Sequence, residues 1–257
     1  LGHDFADGWS FTAGLTKTPI FREWLVNAEY QLFVERSLVT YLLNPGGFSN
    51  GITLHYENET FRASGMYGNS FSDDVGPYLD TVNAWMFAAR GEYKISGNWD
   101  QFNQFTSFPG SETGVMIGLG AGYSDSGGNT VAMPADINQF VITADVSLVM
   151  DGWNGFASVY WSDYDVDVSG FDNQNPWGAT IQGGFFVSDD LELIGRFEWL
   201  DTDDATPRDM FIAALGLNWY FHKQNAKWTT DFGYSFNEVF VGIPGSNLGS
   251  NTVNTDW

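Results

Sequence analysis

Cysteine is missing from all 257 residues, and only ten lysines and arginines stand against 32 aspartates and glutamates. The first absence excludes a disulfide framework and thiol chemistry, and it suits an oxidising compartment in which a stray thiol is a liability. The second leaves a formal net charge of -22. Such a surface repels phosphates, which excludes nucleic acid as a partner. Long apolar runs are also missing: no stretch of about 18 apolar residues could cross a bilayer as a helix. His3, His55 and His222 are scattered, without the spacing of a transition-metal site.

What is abundant is aromatic side chains, 17% of the chain, and glycine, at 30 residues. The apolar residues alternate. Phe211, Ala213, Leu215, Leu217, Trp219 and Phe221 take every second position, with Asn218, Tyr220 and His222 between them. Trp228, Thr230, Phe232, Tyr234 and Phe236 oppose Thr229, Asp231, Gly233, Ser235 and Asn237 in the same way. These runs reach roughly 10 residues and carry aromatics near their ends, the length and decoration of a strand that spans a membrane. The pattern predicts an all-β protein, a transmembrane antiparallel β-barrel whose outward solvent is lipid.

About eleven strands are expected, near 9–17, 48–57, 61–70, 81–95, 113–124, 138–150, 153–162, 177–188, 190–200, 209–222 and 226–239. Short turns at Asn58-Glu59, Asp151-Gly152, Ser188-Asp189 and 222–226 alternate with long polar loops at 71–80, 125–136, 163–176 and 201–208. Tight periplasmic turns and long external loops are how outer-membrane barrels are built. The connection at 97–112 breaks the rule by being long at the short-turn end, and the sequence offers no account of it. An odd strand count leaves unpaired edges, which lipid does not tolerate. The chain starts at Leu1 without an initiator methionine or a signal peptide and stops at Trp257 in a Gly/Ser/Asn stretch. Residues 1–257 are therefore expected to be a single barrel domain, incomplete at both ends, with an even number of strands before Trp9 and an odd number after Trp257.

The connection at 18–47, TPIFREWLVNAEYQLFVERSLVTYLLNPGG, is too long for an ordinary loop and too apolar for a floppy one. Leu25, Tyr30, Leu32, Phe33 and Leu38 would pack it against a wall. Arg22, Glu23, Glu29, Glu35 and Arg36 would then face an aqueous space and form a pore constriction. A plug or helical cap with purely structural contacts stays open as an alternative.

The run GLTKTPIFREWLVNAEYQLFVERSLV resembles the phosphate-selective porin family, of the O and P type, through Gly14, Lys17, Pro19, Phe21, Glu23, Glu35, Arg36 and Ser37. In that family a strand ending in a Gly-x-x-Lys-x-Pro-Phe pattern leads into an inward-folded third loop carrying a Glu and a Glu-Arg-Ser-like triplet. NGITLHYENETFRASGMYGNSF, IQGGFFVSDDLELIGRFEW and KWTTDFGYSFNEV are also similar to it. The resemblance implies a 16-stranded homotrimeric porin in a Gram-negative outer membrane, among lipid and lipopolysaccharide, with four strands before Trp9 and one after Trp257.

Phosphate-selective members line the eyelet with basic side chains, and here those are few. Arg208 falls in an external loop, and Lys223 and Lys227 at a periplasmic turn. Arg62, Arg90, Lys94 and Arg196 have inward parity, Lys17 flanks the constriction, and Glu92, Glu192, Glu198, Asp145 and Asp231 are inward acids. Opposed charges across a narrow lumen pass small polar solutes, the design of a general diffusion channel. An arginine cluster selecting phosphate or another oxyanion is one alternative. A structural or adhesive barrel tethering surface components is another, and a soluble carbohydrate-binding protein a third. Asp163, Asp165 and Asp167 alternate in SDYDVDVSGFDN and could hold a calcium ion, although a solvated acidic loop is the preferred reading. No nucleophile elbow or Ser/His/Asp arrangement can be picked out, so neither enzymatic activity nor a cofactor is expected.

Overall fold

The computed structural model describes residues 1–44, 47–71, 85–125, 137–166, 173–203 and 209–237. The strands are β1 (Gly2–Ala6), β2 (Trp9–Lys17), β3 (Phe48–Glu57), β4 (Phe61–Gly68), β5 (Trp85–Ser96), β6 (Gly114–Asp125), β7 (Ile137–Met150), β8 (Trp153–Val166), β9 (Trp177–Phe186), β10 (Leu191–Asp201), β11 (Asp209–Tyr220) and β12 (Lys227–Ser235). They form one 12-stranded antiparallel sheet in which each strand pairs with its neighbours in sequence. The eleven strands expected from Trp9 onward are β2 to β12, and the structure adds β1 before them, which folds back on β2 across Asp7 and Gly8, with Gly8 at φ 73°. Among the described residues β1 and β12 are the two edges of the sheet and are not paired with each other.

Strand alternation sorts the side chains. Leu215 and Phe232 are 73% and 74% exposed on the outer face, while Asn218 and Tyr220 on the inner parity are buried. Aromatics gather in two belts. At the short-turn end Trp9 lies opposite Tyr56, Phe61 opposite Tyr93, Trp153 opposite Phe185 and Trp219 opposite Trp228. At the other end Trp161 lies opposite Trp177 and Trp199 opposite Phe211. An apolar band between two aromatic belts is the exterior of a barrel that sits in lipid.

The 18–47 connection folds inward, as expected, and carries two short helices, α1 (Arg22–Leu25) and α2 (Leu38–Leu43). Ile20, Phe21, Val39 and Leu43 form a buried cluster with Met66, Met86 and Tyr160 of the wall. Val26, Leu32 and Phe33 pack with Phe156 and Ile194. Arg90 of β5 donates to the Ile20 carbonyl at 3.0 Å, and the Val34 amide donates to Asp231 of β12 at 2.8 Å. One segment thus touches strands from opposite sides of the sheet, which must curve around it. Gly120 makes this close approach possible: a Cβ there would collide with the backbone of Ile20.

The 97–113 connection also turns inward, from the short-turn end. Asn98 and Gln101 form a capping box on a 3-10 turn (Trp99–Asn103), and Phe102, Phe105, Thr106 and Ser107 are buried.

Candidate pore constriction

Between the inner faces of β2 to β5 and the first inward segment lies a cavity of about 590 Å³. One wall is polar. Glu92 of β5 collects Arg90 at 2.9 Å, Arg22 at 3.5 Å and Arg62, its cross-strand partner on β4. Arg90 also grips Asp145 of β7 with two nitrogens, at 2.8 and 2.9 Å. Three guanidiniums therefore meet two carboxylates, and Glu57 of β3 adds a third carboxylate to the cavity lining. Beside them His55 bridges Thr12 at 3.1 Å and Ser64 at 2.9 Å. Leu25, Val26 and Tyr30 of the first inward segment also line the cavity.

A second cluster fastens that segment to the wall. Glu23 is fully buried and accepts from the Ser37 amide at 2.8 Å, from the Thr40 hydroxyl at 2.5 Å and from the Ser37 hydroxyl. Arg36 donates to the carbonyls of Glu23 and Val26 at 3.1 and 3.0 Å and stacks on Trp24. Burial lowers the Arg36 pKa from its usual value, and the Glu23 carboxylate opposes the shift. Arg196 of β10 pairs with Glu198 at 2.7 Å, approaches Glu23 at 3.9 Å and donates to the Glu35 carbonyl at 2.8 Å.

These contacts correct the expected constriction. Of the five residues assigned to it, Arg22 lines the cavity. Glu23 and Arg36 are consumed inside the loop, because hydroxyls and carbonyls of the same segment offer them closer partners than the lumen does. Glu29 and Glu35 are exposed but stand away from the cavity lining. Among the expected lining residues, Arg62, Arg90 and Glu92 are at the cavity, whereas Arg196 and Glu198 lie behind the loop. Lys17 holds Leu25 and Asn27 of the loop at 3.1 and 3.0 Å, and Lys94 lies against Trp99. Lys227 reaches inward from β12 to the Gln31 carbonyl at 2.7 Å.

Asp163 and Asp165 sit on strand β8 rather than in a loop, since β8 runs on to Val166. Asp167 and Arg208 lie outside the described residues. Among the described residues no cluster of metal-ligating side chains occurs. Glu192, expected as an inward acid, is the centre of a further buried network: it accepts from Asn154 at 2.5 Å, Tyr220 at 2.6 Å and Asn218 at 3.1 Å. Its inward parity was legible, but not its partners, Asn154 on β8 and Asn218 and Tyr220 on β11.

No family model and no curated protein matches the chain. Solved structures do. Outer-membrane expressed OmpT of Vibrio cholerae is similar over 90% of this chain and 67% of its own, with a TM-score of 0.59 and 18% identity. The trimer form of in-vitro folded OmpT from Vibrio cholerae covers 89% and 66%, at TM-score 0.59 and 17% identity. An anion-selective porin from Comamonas acidovorans covers 84% and 60%, at TM-score 0.57 and 12% identity. The chain has the fold of an outer-membrane β-barrel. It spans about two thirds of the length of the OmpT structures and 60% of the porin.

At such identities the likeness carries the fold alone. The expectation of a chain without enzymatic activity is overturned here. It rested on missing motifs, while the OmpT structures share a fold over 88–90% of the chain that leaves the chemistry undecided.

Proposed function

We propose that this barrel is a porin, a passive diffusion channel for small hydrophilic solutes and ions, assembled as a homotrimer of the phosphate-selective type that the 14–37 run resembles. The observation that carries the reading is the cavity of about 590 Å³ beside the inward segment, walled by Arg22, Arg62, Arg90 and Glu92. Charges of both signs at the wall of a narrow lumen favour polar over apolar solutes. The neighbours support the proposal in their own terms: one is titled an anion-selective porin and another a trimer form.

A phosphate or oxyanion preference is the narrower reading. It draws on Arg62, whose guanidinium is less buried than those of Arg22 and Arg90 and so more open to a solute. The experiment is single-channel recording in planar bilayers with zero-current potentials in a salt gradient. Steps of conductance support the channel. Silent bilayers from correctly folded protein would favour a structural or adhesive barrel instead.

A further inference from the structure

The short-turn-end connections of this sheet are tight at 7–8, 58–60, 151–152 and 187–190, yet 97–113 is long and carries Trp99, Phe102, Phe105 and Phe108. A connection that merely reversed the chain in water would have no use for four aromatics. Phe102 is fully buried with Met116 and Val149. Phe105 packs on Phe156 of β8, Phe108 lies against Phe186 of β9 and Tyr220 of β11, and Thr106 shares a hydrogen bond of 2.8 Å with Tyr220. The segment thus crosses the lumen from β5 and β6 to the far wall.

It also meets the first inward segment and the cavity. Arg22 donates to the Phe102 carbonyl at 2.5 Å and to Ser147 at 2.8 Å, and the Phe105 amide donates to the Tyr30 carbonyl at 3.2 Å. Arg62 reaches Asn103 at 3.4 Å, and its guanidinium lies 4.7 Å from the Trp99 ring. Phe102 and Asn103 line the same cavity as Arg22 and Arg62.

We propose that residues 97–113 are the second half of the constriction, entering from the short-turn end and meeting the 18–47 segment entering from the other. The inference rests on the channel reading and extends it. Conductance is limited where the two segments meet, and ion preference depends on 97–113 because its Phe102 carbonyl, Asn103 side chain and Trp99 ring set where Arg22 and Arg62 point. Asn103 is exposed to the aqueous space and is the residue of this segment that a permeating ion would pass.

The missing cysteines make the test direct, since Asn103→Cys carries a single thiol. An anionic methanethiosulfonate reagent applied to this channel in a planar bilayer is expected to cause about a twofold loss of conductance and to shift the zero-current potential towards cations. The same treatment of Glu59→Cys, in an exposed turn, should leave both unchanged. A second variant replacing 99–112 with an Asn-Gly turn should raise conductance by about twofold. If that variant fails to fold, the thiol result stands on its own. Unaltered current through a fully modified Asn103→Cys channel, with modification verified by mass spectrometry, overturns the inference while leaving the channel intact. A silent unmodified barrel overturns the channel reading and this inference with it.

Discussion

Arg90 on β5 reaches Asp145 on β7 by passing over Gly118 of the strand between them. Gly118 faces Glu92 on one side and Asp145 on the other, so the three occupy one row across the sheet. A Cβ at Gly118 would run into the Arg90 guanidinium and lie 2.6 Å from an Asp145 oxygen. The glycine is therefore what allows an ion pair to form across a neighbouring strand. Removing one partner of a buried pair costs about 3–5 kcal/mol because the other charge is left uncompensated. Gly118→Val is expected to lose stability of that order, read as the urea midpoint of the heat-modifiable band. Gly91→Ala is the control, because its Cβ would make only an ordinary contact with Phe61, at 3.5 Å. Equal losses from the two would show that the bridge is not what Gly118 protects.

The lipid face allows a second test. Leu215 is 73% exposed on the outer surface in the middle of β11. Arginine there faces hydrocarbon and should cost about 2–4 kcal/mol near the midplane. Strand parity alone would make the neighbouring Asn218 a tolerant lumen position. The structure removes that tolerance, since Asn218 is completely buried and donates to the Leu32 carbonyl at 3.0 Å and to Glu192. Leu215→Arg and Asn218→Arg should both impair folding in a heat-modifiability gel, and Leu215→Ala should not.

Much of the barrel was legible because a strand that meets lipid on one side and water or loop on the other must alternate, and these strands are long. The predicted bounds 9–17 and 48–57 coincide with β2 and β3. β1 was hidden because GHDFA is short and polar, although the Asp7-Gly8 turn after it is a hairpin signal. The inward course of 18–47 followed from length and apolarity, but the fate of its charges did not. Glu23 turned away from water because Ser37 and Thr40 of the same segment satisfy it, a tertiary arrangement that spacing does not encode. The 97–113 segment carried its own unread signal, an Asn98 to Gln101 capping box with aromatics three residues apart at Trp99, Phe102, Phe105 and Phe108.

Glu23 should act as the knot of the first inward segment. Its carboxylate gathers Ser37 and Thr40, and Thr40 continues to the Tyr160 hydroxyl at 3.1 Å. Glu23→Ala unties α2 from α1 while the strands keep their own pairing. The expected result is a barrel that still shows the folded band but is cut by trypsin after Arg36, a site that the hydrogen bonds to Glu23 and Val26 hold shut in the parent protein. Resistance equal to the parent would mean that apolar packing around Ile20, Phe21 and Val39 fixes the loop without the carboxylate.

The net charge of -22 invites the expectation of a cation-selective pore, and the distribution of charge argues otherwise. Asp163, Asp165, Asp201 and Asp203 stand at the long-loop end, where salt screens them within about 8–10 Å. Asp73, Asp74, Asp167 and Asp204, expected there as well, lie outside the described residues. Arg62 by contrast lines the cavity, whereas Arg196 is held behind the loop by Glu198 and the Phe33 ring. Arg62→Gln leaves Arg22 and Arg90 against Glu57, Glu92 and Asp145, so carboxylates outnumber guanidiniums at the cavity, and it should shift the zero-current potential in a tenfold KCl gradient towards cations. Arg196→Gln should leave that potential in place and loosen the loop instead. A larger shift from Arg196→Gln would move the selective site to the β10 side of the inward segment and away from the cavity that Arg62 lines.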